Sequence, residues 1–81
     1  MDKYKVAIVD DDEVALENLS FELGKDVRFS LKGTARNGKQ GKKLIAKVQP
    51  DLLFLDVEMP DMTGMELLQE IRGSVSWNMR I

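Results

Sequence analysis

The chain has 81 residues, with 12 basic against 14 acidic side chains, a net charge of −2, and neither cysteine nor histidine. That leaves room for one small domain with a single thin core, and it excludes disulfide stapling, thiol nucleophiles, Cys/His zinc sites and histidine acid–base chemistry. The near-balanced charge and a pI near 5.0 argue against non-specific nucleic-acid binding, and the lack of a signal peptide or of any apolar run near ~20 residues predicts a soluble, cytoplasmic protein with no membrane span.

Lys5–Val9 is a short run rich in β-branched residues, with no polar side chain between Val6 and Val9. Such a run is buried on both faces and predicts a strand of a parallel sheet covered by helices. Asp10-Asp11-Asp12-Glu13 closes it and opens a helix. Any of the three aspartates can serve as N-cap, and Glu13 sits in the first turn, where negative charge meets the helix dipole. Ala15, Leu16, Leu19 and Leu23 then recur at helical spacing opposite Glu17, Asn18 and Glu22, with Gly24 expected as C-cap.

Val27, Phe29, Leu31 and Gly33 share one phase and Arg28, Ser30 and Lys32 the other, which predicts a half-exposed edge strand continuing through Thr34 and Ala35. Asn37-Gly38 is a turn signal, and a second helix from Gly38 or Lys39 to Val48 follows. Its apolar stripe is Leu44, Ile45 and Val48. Lys39, Lys42, Lys43 and Lys47 scatter over the rest and read as a solvated face rather than a nucleic-acid footprint. Gly41 either weakens this helix by up to ~1 kcal/mol relative to Ala or permits a close approach.

Pro50-Asp51 ends the helix. Leu52–Leu55 is a continuous apolar run and so a second central strand, ending on Asp56. The loop from Val57 is shaped by Pro60 and Gly64. Met65, Leu68 and Ile71, with Leu67 beside them, then form a third helix capped by Gly73. Trp77–Ile81 looks like the start of another strand, in which Trp77 is either an interface anchor or partly buried.

The order β-α-β-α-β-α-(β) with right-handed crossovers predicts an open, doubly wound α/β sheet with helices on both faces. Three helices leave one face under-covered, and an apolar strand at an edge is prone to pairing or swapping with a second copy.

In such sheets ligands collect at the carboxyl ends of the strands. Two strands end there in carboxylates, Asp10 and Asp11 after the first and Asp56 after the third. Neighbouring strands lie ~4.8 Å apart, so these side chains can converge. Three carboxylates this close repel, which raises their pKa values unless a cation neutralises them. Hard oxygen ligands without His or Cys favour Mg²⁺, or Mn²⁺, over zinc and copper. Such a metal neutralises phosphoryl oxygens and leaves a carboxylate to attack phosphorus. The plainer reading of Asp10–Glu13 is a helix cap and solvated loop.

Two stretches, Val6-Ala7-Ile8-Val9-Asp10-Asp11-Asp12-Glu13 and Leu53-Phe54-Leu55-Asp56-Val57-Glu58-Met59-Pro60-Asp61-Met62-Thr63-Gly64, closely resemble the response-regulator receiver domain of bacterial two-component signalling. Asn37-Gly38 and the run from Lys47 to Leu52 also fit. The match covers essentially residues 1–81 as one receiver domain, incomplete at its C-terminus and equal to the N-terminal two-thirds. The resemblance implies a flavodoxin-like sheet of order 2-1-3 with the fourth strand only begun, and a phosphoacceptor rather than an enzyme. It implies phosphorylation of Asp56 by a sensor histidine kinase or phosphotransfer protein. Mg²⁺ would be held by Asp10, Asp11, Asp56 and the backbone carbonyl of Glu58.

Asp12 competes for the acidic pair, but the strand's end at Val9 leaves it as helix cap. The Glu58 side chain is placed at the same mouth, Pro60 and Gly64 shape the loop, and Met59 packs. The family's Ser/Thr, aromatic and lysine of the fourth and fifth strands have no counterpart in these residues; Thr63 and Lys47 stand elsewhere.

Two other readings stay open. One is an interaction or homodimerisation module on a receiver-like scaffold without phosphotransfer. The other is a Mg²⁺-dependent phosphohydrolase of similar topology, which needs an aspartate where Glu58 stands.

Overall fold

The computed structural model of the protein describes residues 3–73 and 79–81. The elements run β1 (Tyr4–Val9), α1 (Glu13–Gly24), β2 (Phe29–Ala35), α2 (Gly38–Val48), β3 (Leu52–Leu55) and α3 (Gly64–Arg72). The strands make one parallel sheet in the order β2-β1-β3, as expected. β1 takes the middle because Val6–Val9 offer no polar side chain to solvent, and all four are at most 2% exposed.

Successive side chains of β1 point to opposite faces and divide the core in two. Val6 and Ile8 pack with Leu16 and Leu23 of α1. Ala7 and Val9 pack with Ala35, Ile45, Leu53, Leu67 and Ile71, between the sheet and the α2/α3 pair. Among the described residues α1 is the single helix on its face, and Leu52 and Phe54 of β3 remain half-buried there. The uneven cover expected from three helices is therefore present. Arg80 donates its N–H to the Asp51 carbonyl (2.9 Å) and accepts from the Leu53 N–H (2.8 Å), pairing parallel with Leu52. A fourth strand thus begins beside β3; Trp77 and Asn78 lie outside the described residues.

Several local expectations are corrected. β2 does not keep one phase: Val6 pairs with Leu31 but Ala7 with Gly33, so Lys32 is an extra residue. Such a bulge flips every later side chain. Phe29 and Leu31 consequently face α1, whereas Gly33 meets Leu44 of α2, where a Cβ would come within 2.6 Å of the Leu44 Cδ1, and Ala35 joins the α2/α3 core. Val27 precedes the strand and is exposed.

Gly73 caps α3 as expected, whereas Gly24 does not cap α1. Gly24 is the last residue of α1, with Lys25 capping it in a right-handed conformation, and Gly73 caps α3 in the same conformation. The left-handed stop is Gln49 (φ 52°, ψ 63°), whose N–H bonds the Ile45 carbonyl (2.9 Å) and whose position just before Pro50 prevents α2 from continuing. α3 turns Leu67 and Ile71 inward and leaves Met65 exposed, so its stripe centres on Leu67. Gly41 is a close approach: a Cβ there would lie 2.8 Å from Val9 Cγ1 and 3.3 Å from Leu67 Cδ2. The small residue lets α2 sit directly on β1.

Candidate functional site

β1 and β3 are the adjacent strands at the centre of the site, and their carboxyl ends carry its acids. The Asp56 N–H donates to the Val9 carbonyl (2.8 Å) and the Asp10 N–H to the Ala35 carbonyl (3.0 Å), so main-chain pairing carries both aspartates just past the end of the sheet. Asp10 folds back on its own loop, its Oδ1 accepting from the Asp12 N–H (2.9 Å). Asp12 is the N-cap of α1: its Oδ1 accepts from Val14 N–H (3.0 Å), and its carbonyl takes the first helical bond from Leu16. Asp12 is thus the helix cap, as the strand's end at Val9 led one to expect.

One carboxylate oxygen each from Asp10, Asp11 and Asp56 lies within 4.8 Å of the other two. Asp10 and Asp56 are half-buried and Asp11 is exposed. The three border an open cleft of about 580 Å³, lined also by Asp12, Glu58, Met59 and Pro60. Among the described residues no lysine or arginine lines it. The crowding is felt at Asp11, whose carboxyl is pushed above the ordinary 3.8 chiefly by the facing Asp56 side chain, then by slight desolvation and by the charges of Asp56 and Asp10. Like charges held this close repel, and a cation between them would relieve the repulsion.

The residues fit a hard divalent ion. Oxygens around an octahedral Mg²⁺ at about 2.0–2.1 Å stand about 3–4 Å apart, so small side-chain rotations close the observed triangle. Glu58 borders the same cleft and pairs with Thr63 in an isolated antiparallel bridge. Met59 is buried in the α2/α3 core, as expected. Gly64 is buried at the start of α3, donates to the Val57 carbonyl (2.7 Å), and has no space for a Cβ because the Asp56 carbonyl stands there.

Two features of this region escaped sequence reasoning. Thr63 and Glu66 form a reciprocal capping box at α3, Thr63 Oγ1 accepting from Glu66 N–H (3.1 Å) and Glu66 Oε1 from Thr63 N–H (3.0 Å). The T-x-x-E spacing is a visible signal for it. Asp61 reaches across to α2, its Oδ1 accepting from Gly38 N–H (2.7 Å) and its Oδ2 from Lys39 N–H (2.9 Å). Those two bonds hold the Asp61 carboxyl below its ordinary range. No local pattern announces a contact spanning more than 20 residues. The α2 lysines are all exposed, and Lys42 pairs with Glu70 (3.3 Å), consistent with a solvated face.

The structure is thus an open parallel α/β sheet with three aspartates, Asp10, Asp11 and Asp56, gathered beyond the carboxyl ends of β1 and β3. The chain belongs to the response regulator receiver domain family, whose sequence pattern matches residues 6–81. It is 44% identical over 71 residues to a protein-glutamate methylesterase/protein-glutamine glutaminase of Geobacillus kaustophilus, covering 88% of this chain and 20% of that protein. It is 35% identical over 68 residues to the transcriptional regulatory protein YdfI of Bacillus subtilis, covering 84% of this chain and 32% of that protein. The fold matches the response regulator domain of Thermotoga maritima CheB with a TM-score of 0.88 at 23% identity, over 98% of this chain and 58% of that one.

The chain thus spans a third or less of the length of these two curated relatives. Receiver domains bind Mg²⁺ at an aspartate cluster and interact with histidine kinases or phosphotransfer proteins. No helix among the described residues is long and apolar enough to cross a membrane.

Proposed function

We propose that residues 1–81 act as a phosphoacceptor module of a cytoplasmic two-component response regulator, with Asp56 as the phosphorylated residue. The observation that carries this is the convergence of Asp10, Asp11 and Asp56 within 4.8 Å at the carboxyl end of a receiver sheet. Asp56 is the nucleophile because it follows β3 directly, held by its N–H to Val9, with its carboxylate open to the cleft. One of its oxygens attacks the phosphorus of a phosphohistidine on a sensor kinase or phosphotransfer protein, or of a small acyl phosphate. The bond to the donor breaks and its electron pair leaves with the donor, giving an aspartyl phosphate. The chain is consumed as acceptor in this step and is not an enzyme.

Asp10, Asp11 and Asp56 would hold Mg²⁺, or Mn²⁺, with the Glu58 carbonyl as a further ligand; Asp12 stays on the helix. When bound, the ion neutralises the phosphoryl oxygens that would otherwise be repelled by the carboxylates. Pro60 and Gly64 give the loop the shape that brings Glu58 to this side.

The site assignment has its own test. Because the Asp11 carboxyl is raised in the folded chain, its contribution to stability is present below the ordinary 3.8 and lost as pH rises through the raised value. At neutral pH the cluster therefore works against folding, and Mg²⁺ relieves it. The double substitution Asp10→Asn/Asp11→Asn is expected to raise the urea midpoint without metal and to weaken Mg²⁺ binding by more than about 100-fold, beyond the loss typical of changing a residue that only supports a ligand. Urea denaturation with and without Mg²⁺ reads both. A double variant still stabilised by Mg²⁺ as the unaltered chain is would refute the assignment.

A further inference from the structure

We propose that Asp61 is a positioning residue for this site, clamping the tip of the β3–α3 loop onto the N-terminus of α2 and so fixing where Glu58 presents its carbonyl. The inference rests on the reading of Asp10, Asp11 and Asp56 as a Mg²⁺ site.

The first turn of α2 carries no acid of its own, and its leading N–H groups lack helical partners. Asn37 accepts from the Gln40 N–H (2.8 Å) and leaves Gly38 and Lys39. The two oxygens of Asp61 take these, at 2.7 and 2.9 Å. A carboxylate on two N–H groups at a helix N-terminus combines charge-assisted bonds with the helix dipole, so the grip is directional and specific to an acid.

Met62 adds a second contact. It lies over Gly38 so closely that a Cβ on Gly38 would run into its side chain. The other end of the loop is fixed separately, by Gly64 N–H on the Val57 carbonyl (2.7 Å) and by the Glu58–Thr63 bridge.

Glu58 therefore lies between two anchors, one to α3 and β3 through the loop base, the other to α2 through Asp61. A backbone carbonyl cannot be re-aimed by rotating a side chain, so its position is only as well defined as its loop. Losing the second anchor spreads the carbonyl over more positions and weakens any ion that needs it. Asp61 touches neither the ion nor the phosphoryl group.

The test is a Mg²⁺ titration read by the shift in urea midpoint, with backbone amide hydrogen exchange measured in the absence of metal. Asp61→Ala is expected to raise the Mg²⁺ concentration for half-maximal effect about tenfold. Asp61→Asn, with one acceptor oxygen instead of two, falls between the alanine variant and the unaltered chain, and it replaces the alanine variant if that fails to fold. Asp26→Ala is the control. It also removes a carboxylate that accepts a backbone N–H, from Arg28 (2.9 Å), but at the opposite end of the sheet, and it leaves the Mg²⁺ requirement unchanged.

Exchange at Gly38, Lys39 and Gly64 is expected to quicken in Asp61→Ala. An Asp61→Ala chain with the Mg²⁺ requirement of the control makes Asp61 a helix cap only and overturns the proposal. If the unaltered chain does not respond to Mg²⁺, the metal reading itself fails. The clamp is then decided by Gly64: quickened exchange in Asp61→Ala upholds it, and unchanged exchange overturns it.

Discussion

Asp56→Asn is expected to abolish the phosphoryl adduct outright while leaving the fold intact. The substitution keeps the shape of the side chain but replaces a carboxylate oxygen with an amide, which lacks the charge and nucleophilicity needed to attack phosphorus. Nothing in the pairing of the strands changes, because Asp56 is tied to β1 through its backbone N–H and not its side chain. Its charge, however, contributes to holding the Asp11 carboxyl above the ordinary range. Removing it lets Asp11 ionise more readily, so part of the stability lost in the unaltered chain as pH rises through the carboxylate range is retained in the variant. The expected pair of results is a urea midpoint at neutral pH equal to or above that of the unaltered chain, and no mass gain with an acyl phosphate and Mg²⁺. An undiminished adduct on the variant would place the nucleophile elsewhere.

Gly64→Ala is expected to be the most disruptive single change at the site. An added methyl would run into the carbonyl of Asp56 and come within 3.2 Å of Leu55 Cγ. A clash with main chain is not relieved by a rotamer change, so either α3 backs away or the Asp56–Glu58 segment shifts. Overpacking of this kind costs about 1–3 kcal/mol and sometimes more. Set against a total of about 4–12 kcal/mol for a chain of this size, that is a large fraction. The gain in helix propensity from Gly to Ala, at most about 1 kcal/mol, does not offset it. Urea denaturation should show a lowered midpoint, and phosphorylation should fall by a larger factor than the loss of folded chain accounts for, because the displaced carbonyl belongs to the nucleophile itself. A variant with the unaltered midpoint would mean that the β3–α3 junction is looser than its packing indicates.

The elements whose burial depends on an uninterrupted apolar run were readable from composition and order alone. Val6–Val9 and Leu52–Leu55 read as strands of a parallel sheet with their acids at the same edge, which brought Asp10, Asp11 and Asp56 together before any coordinates did. Val6–Val9 takes the middle, whereas Leu52–Leu55, expected to be central, stands at the end of the order β2-β1-β3 and buries only Leu53 fully. All three adjacent aspartates have the side chain a cap requires, so residue type alone does not choose among them. The choice of Asp12 follows from where Val9 leaves the sheet.

Features that depend on partners far along the chain were not readable. The bulge at Lys32 leaves no mark in the sequence, because Phe29, Leu31, Gly33 and Ala35 keep one unbroken alternation, and it is the pairing with β1 that sets the register. The left-handed position is held by Gln49, so no glycine marks it in the sequence. The inward turn of Leu67 rather than Met65 is settled by how α3 lies against the sheet. Asp61 shows the same limit at the site itself, an acid in a loop whose partners are backbone groups of another helix.

The central claim is that this chain is a phosphoacceptor whose acidic cluster needs a divalent cation to react. The most direct measurement is the intact mass of the unaltered 81-residue chain after incubation with a small acyl phosphate, with and without Mg²⁺, followed by hydroxylamine. The account predicts a gain of one phosphoryl group only when Mg²⁺ is present, removed by hydroxylamine as an acyl phosphate is. No gain in either condition, or a gain that is indifferent to Mg²⁺ and resists hydroxylamine, would contradict it.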